Sequence, residues 1–166
     1  MTRKSKLHRL DDALSYLKTV KSLIREKRAL LDYEVLYGQV MLENGFPEKA
    51  KAHFETAFSK CEDSEKTALV IGIAYYEHEY YQDAANILSR LAEIPDSITA
   101  NFALPYLALC YRHLEDRELY LKYLLLATKN CIDLTAQLFE EYFPGVKAED
   151  LYFYAFKDAY GYFPKE

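Results

Sequence analysis

Tyr37–Phe58 reads YGQVMLENGFPEKAKAHFETAF, and 34 residues further on Ile71–Ala92 reads IGIAYYEHEYYQDAANILSRLA. Both stretches place a small residue near the start, an Ala twelve residues later and a large apolar residue four beyond that. Counted from Leu31, position seven is Tyr37, eight Gly38, eleven Met41, twenty Ala50, twenty-four Phe54 and twenty-seven Ala57. Counted from Glu65, the same positions hold Ile71, Gly72, Tyr75, Ala84, Leu88 and Leu91. A further unit, shifted by two residues to start at Asn101, gives Leu107, Ala108, Tyr111, Tyr120, Leu124 and Ala127. Positions seven, eight and eleven share one face of a helix. Positions twenty, twenty-four and twenty-seven share one face of the next, at the i, i+4, i+7 spacing of a buried stripe. Small residues at eight and twenty let two antiparallel helices approach closely, and the large residue at twenty-four fills the space beside them.

Punctuation along the chain agrees with this reading. Asn44-Gly45 predicts a left-handed helix stop, and Pro47 suits the first turn of the following helix. Asp63-Ser64 and Asp96-Ser97 offer N-caps. Leu104-Pro105 predicts a helix that starts late, near Leu104, or bends there, because the residue before Pro avoids the helical region. In residues 10–20 the second-helix pattern returns through Ala13, Leu17 and Val20. An alternative heptad series, Leu7, Leu10, Leu14, Leu17, Ile24 and Leu31, is broken by Lys21 and Arg28. After the repeats, TAQLFEEYF predicts a short helix ending at Pro144-Gly145, and AEDLYFYAFKDAY one ending at Gly161. The expected fold is all-α, with seven to nine helices and no sheet.

The period and the small–aromatic–Ala–large–Ala order resemble the tetratricopeptide repeat family over residues 31–134. Tyr120 stands where the family prefers Ala, and the family's usual Trp and late Pro are missing. The resemblance implies a right-handed α-α superhelix, a solenoid of three helix-turn-helix repeats at 31–64, 65–98 and 101–134. An N-terminal half repeat (1–30) and C-terminal capping helices (135–166) complete one domain, since a solenoid must cover its terminal apolar faces.

Composition narrows the possible activities. The chain of 166 residues is 51% hydrophobic, enough for a real core, and contains 16 Tyr and no Trp. Its net charge of −5 argues against a basic nucleic-acid footprint. Cys61, Cys110 and Cys131 are odd in number and widely spaced, as expected of free thiols in a reducing compartment. The N-terminus lacks an uninterrupted apolar run and so does not read as a signal peptide. No stretch of 18 apolar residues predicts a membrane span. The default expectation is a cytoplasmic protein.

Chemistry-bearing patterns are sparse. His8, His53, His78 and His113 include no pair four residues apart, and no HExxH, glycine-rich phosphate loop or GxSxG elbow occurs. His78 and His113 fall at predicted helix ends, where a histidine ordinarily satisfies carbonyls. Glu140-Glu141 and Glu149-Asp150 read as surface acids, and Cys110 as a buried, inert thiol. No catalytic residue, metal site or cofactor is expected.

What remains is a surface. In the family, positions two, five, nine, twelve and thirteen of each repeat line the concave groove. Carried onto this chain, the first repeat offers Asp32, Val35, Gln39, Leu42 and Glu43, and the second Lys66, Leu69, Ile73, Tyr76 and Glu77. The third offers Phe102, Pro105, Leu109, Arg112 and His113, with Tyr106 adjacent. The version that binds acidic chaperone C-termini needs cations and Asn at places that here hold Val35, Gln39, Val70, Phe102 and Tyr106, so that activity is not expected. The central stripe is apolar, with Ile73, Tyr76, Phe102 and Leu109 as anchors and Lys66, Glu77 and Arg112 at the rim. It suits an amphipathic helix or an extended apolar peptide of a protein partner. Alternatives are a homo-oligomer, a groove covered by the chain's own Tyr-rich tail, or a holder of client segments like the bacterial secretion chaperones.

Overall fold

The computed structural model describes the backbone of residues 3–23 and 27–165, and the side chains of residues 9–19 and 33–165. Among the described residues there are nine α-helices, one 3-10 turn and no strand. They run α1 (Arg3–Leu23), α2 (Lys27–Glu43), α3 (Pro47–Lys60), α4 (Ser64–Glu77), α5 (Tyr81–Ala92), α6 (Ile98–His113), α7 (Arg117–Asn130), α8 (Ile132–Phe139), the 3-10 turn Ala148–Asp150 and α9 (Leu151–Tyr160). None of these helices is long and apolar enough to cross a membrane. The chain divides into two compact units, Met1–Thr67 and Ala68–Glu166. The division falls just past the expected repeat boundary at 64/65.

The helix pairs α2–α3, α4–α5 and α6–α7 are joined by one recurring turn. Its apex is left-handed at Gly45 (φ 83°), Glu79 (φ 67°) and Glu115 (φ 61°), the same repeat position each time. One residue later the backbone N–H reaches back five residues, from Phe46 to Met41 O (2.8 Å), Tyr80 to Tyr75 O (2.9 Å) and Asp116 to Tyr111 O (3.0 Å). These bonds satisfy carbonyls that a helix end would otherwise orphan. The next helix then starts in register, with the N–H of Ala50, Ala84 and Tyr120 donating to Phe46, Tyr80 and Asp116 O. Tyr120 replaces an Ala here without shifting that register.

Within the first unit, α1 packs on α2 and α2 on α3. On α1, Leu17, common to the half-repeat pattern and the heptad series, is buried, as is Leu10 of the heptad series, while Ala13 and Leu14 are half-buried. Val20, Leu7, Ile24 and Leu31 lie outside the residues whose side chains are described. Gly38 shows why position eight is small: a Cβ there would run into the ring of Phe54, which is position twenty-four. Pro47 opens α3, whose stripe Ala50, Phe54 and Ala57 is buried. Glu34 is only 5% exposed, and its carboxylate accepts a hydrogen bond from His53 Nδ1 at 2.7 Å. Tyr37 stacks on that imidazole with centroids 3.8 Å apart. A buried acid is thus paired rather than left bare, which is the usual condition for tolerating one. Asp63 caps α4 by accepting from Lys66 N–H at 3.0 Å.

In the second unit the close approach recurs, since a Cβ on Gly72 would run into Leu88. Ala84 and Leu88 are fully buried. α5 packs on α6 and α6 on α7, with Ala108 and Leu124 fully buried at the positions equivalent to Gly72 and Leu88. α6 does not start late. It begins at Ile98, because Ser97 caps it by accepting from Ala100 N–H at 3.0 Å, and Pro105 is accommodated inside it. The missing Pro N–H costs the Asn101 carbonyl its usual helical donor. Burial of the Pro105 ring offsets that loss. α8 and α9 pack on α7, and α8 also on α6. α8 stops at Phe139, before Pro144-Gly145, and the segment beyond it is turned by the Gly145 N–H donating to Glu140 Oε1 at 3.1 Å. Gly161 ends α9 in the left-handed conformation, at φ 83°.

Candidate functional site

The strip expected to line the groove falls partly in each unit. Val35 and Gln39 are half-buried on α2, and Lys66 is exposed in the first turn of α4. All three belong to the first unit. The second unit carries Leu69, Ile73, Tyr76 and Glu77 on α4 and Phe102, Tyr106, Leu109 and Arg112 on α6.

These second-unit residues do not behave alike. Leu69 and Ile73 are half-buried, and Phe102 is 42% exposed. Tyr106 packs edge-to-face on Tyr76 with centroids 5.5 Å apart. Burial is the main reason that the Tyr106 hydroxyl is harder to ionise than usual, helped by the nearby Glu77 carboxylate. Glu77 itself is exposed. Together, Leu69, Ile73, Phe102 and Tyr106 form the part of the expected strip that remains open.

The other end of the strip is closed by the chain's own tail. Tyr76 is half-buried, and its hydroxyl lies near that of Tyr142, beyond α8. Burial first, and the neighbouring Tyr142 hydroxyl second, push the Tyr76 phenol well above the usual tyrosine range. The Tyr142 hydroxyl also lies 3.1 Å from His113 Nε2, and its ring sits 4.6 Å under the Arg112 guanidinium. Tyr81 stacks flat on the His113 ring, 4.1 Å away and 3° from parallel. His113 is therefore held between aromatic rings rather than serving helix-end carbonyls as expected. Burial, and secondarily Arg112, hold it below the usual histidine range.

Two expected roles change for a definite reason. Leu109 was expected to anchor a partner, but it is fully buried, in a cluster with Tyr120, Leu124, Phe139, Leu151 and Ala155. The C-terminal helices supply three members of that cluster, so Leu109 is core. Arg112 was expected at the rim, but it is half-buried and bound to the tail, its Nε 3.3 Å from Asp158 Oδ2 on α9. Sequence reasoning missed Tyr142, Asp158 and the partnership of Tyr81 with His113. The only signal for them was the aromatic density of the tail, which carries no register of its own.

Among the described residues, no cluster of His, Cys, Asp and Glu is arranged to hold a metal ion. The three cysteines are free, and burial pushes the Cys110 thiol up to about 12, away from the thiolate that a nucleophile requires. No family model, curated protein or solved structure matches the chain.

Proposed function

We propose that the chain is a non-catalytic protein-interaction module, tetratricopeptide-like in its three helix pairs, that takes an apolar peptide segment on the α4–α6 face of its second unit. The recurrence of one turn, with the same left-handed apex and the same backbone bonds in all three pairs, supports the repeat reading. The observation that carries the function is the open strip. Phe102 leaves 42% of its surface in water, one helical turn from half-buried Tyr106, which packs on Tyr76 of α4, and Leu69 and Ile73 of α4 are half-buried. Apolar side chains presented together in this way suit a partner that buries a few large side chains among them. Because Tyr142 occupies the Tyr76 end, the bound segment is short and centred on Phe102. The charged neighbours lie at the edge, so salt has a small effect on affinity.

The test is a binding titration with a partner recovered from the source cells, against wild type and Phe102→Ala. Loss of an anchoring aromatic weakens binding by about 1–3 kcal/mol, while Tyr154→Ala, on α9, leaves it unchanged. Equal affinity of Phe102→Ala and wild type would overturn the reading. So would a solution mass that rises with concentration and stops rising in Phe102→Ala, which would make the strip a contact between copies of the chain.

A further inference from the structure

The α6–α7 turn and α9 flank a half-open pocket of about 450 Å³ whose lining includes Tyr111, Arg112, Asp116, Arg117, Tyr120 and Asp158. The volume lies within the range of small-molecule sites. At its wall is Tyr120, 2% exposed, whose hydroxyl is buried without a hydrogen-bond partner. The Arg112 guanidinium lies beside that hydroxyl without completing a bond to it. A phenylalanine would fill the same volume and leave no polar group stranded, and a stranded buried hydroxyl is costly. Packing alone therefore does not account for the oxygen.

In front of the hydroxyl stands the Arg112–Asp158 pair, a single contact at 3.3 Å between side chains 29% and 38% exposed. Water reaches both groups, so an ion pair of this kind is weakly held and exchangeable. Asp116 is already committed, capping α7 by accepting from Leu119 N–H at 3.1 Å. Arg117 lies 5.6 Å over the Tyr160 ring and adds a second guanidinium to the lining. A plain anion entering here meets Asp116, Asp158 and Glu115, and a plain cation meets Arg112 and Arg117. A ligand bearing both charges meets complementary partners.

We propose that this pocket takes a small zwitterion of the α-amino acid type, inserted between Arg112 and Asp158. Its carboxylate replaces Asp158 on the guanidinium and accepts the O–H of Tyr120, and its ammonium goes to the released Asp158. The proposal is independent of the peptide strip and stands or falls separately.

Calorimetric titration of the full chain with glycine, L-serine, L-leucine, L-glutamate and L-lysine, each beside its N-acetyl and its amide form, tests it. At least one free amino acid is expected to bind saturably, with both blocked forms weaker by about tenfold or more, the effect of losing a charged hydrogen bond. Tyr120→Phe is expected to keep or raise the melting temperature while weakening the same amino acid. Asp158→Asn, on the accessible side of the pair, is expected to weaken the free amino acid and leave the N-acetyl form as it was. If Tyr120→Phe fails to fold, the Asp158→Asn comparison carries the test alone. Absence of saturable binding to all five free amino acids would overturn the proposal. So would blocked forms that bind as tightly, or a folded variant that binds the amino acid as wild type does.

Discussion

The α4–α5 and α6–α7 pairs share a turn, a register and a stripe, yet they close differently. In α4–α5 Gly72 lets the Leu88 side chain lie directly against the helix backbone, and Ala84 at position twenty is fully buried. In α6–α7, Ala108 and Leu124 repeat that arrangement, but Tyr120 stands in the place of Ala84. Its ring lies parallel to Phe139 of α8, with centroids 6.5 Å apart, inside a cluster completed by Leu151 and Ala155 of α9. One pair is sealed by small residues. The other carries a large one at position twenty, and helices borrowed from the tail cover its ring. The turn sets where the second helix begins, and the side chain at position twenty sets what must cover it.

The largest expected effect comes from removing the borrowed seal. Leu151 is 1% exposed, and Leu151→Ala should cost about 2–5 kcal/mol, the range for emptying a buried leucine site, read as a lower urea midpoint at unchanged slope. A loss no greater than that of an exposed substitution would mean that α9 is not part of the third pair's core. Filling the second pair's seam should cost less. Ala84→Leu inserts a side chain where Ala84 has no exposed surface, and overpacking of this kind costs about 1–3 kcal/mol. An unchanged melting temperature would show that α4–α5 can house a large side chain at position twenty as α6–α7 does, and the contrast between the pairs would vanish.

The smallest effect concerns the histidine that joins them. His113, against Tyr81 of the second pair and Tyr142 of the tail, has its pKa lowered from 6.5, by burial first and by Arg112 next, while Glu79 and Glu141 pull the other way. A histidine held neutral binds fewer protons folded than unfolded. Its contribution to stability is complete above the unfolded value of 6.5 and is lost as the pH falls through the folded one. His113→Gln should therefore flatten the pH dependence of the melting temperature across the acid side of 6.5. An undiminished slope in that variant would assign the dependence to other groups.

Much of this architecture could be read from periodicity. Gly38, Gly72, Ala50, Ala84, Phe54 and Leu88 lie at the spacings of paired helices. Ser97, Asp63, Pro47 and Gly161 mark ends through short-range backbone geometry, which depends on a few neighbouring residues and is therefore local information. Of the two readings left open at Leu104-Pro105, the late start is excluded by the Ser97 cap, because the penalty before Pro is also local and is outweighed by burial of a whole helix. Leu69, Ile73, Phe102 and Tyr106 were named by carrying the groove positions of the resembled family onto the chain, and their side chains are half-buried or exposed.

Leu109 and Arg112 were out of reach of that reasoning. Their exposure depends on where residues some 30 to 50 positions later return, and nothing in a helix's own period encodes the return of a distant segment. The same holds for Tyr120, whose register was set by a backbone bond to Asp116 but whose stranded hydroxyl exists only because Phe139, Arg112 and Asp158 meet around it. Local spacing specifies helices, turns and the faces they present. Which of those faces stay open to water is decided by long-range packing, since burial is a property of all the atoms that converge on a point and not of the stretch of chain that supplies one of them.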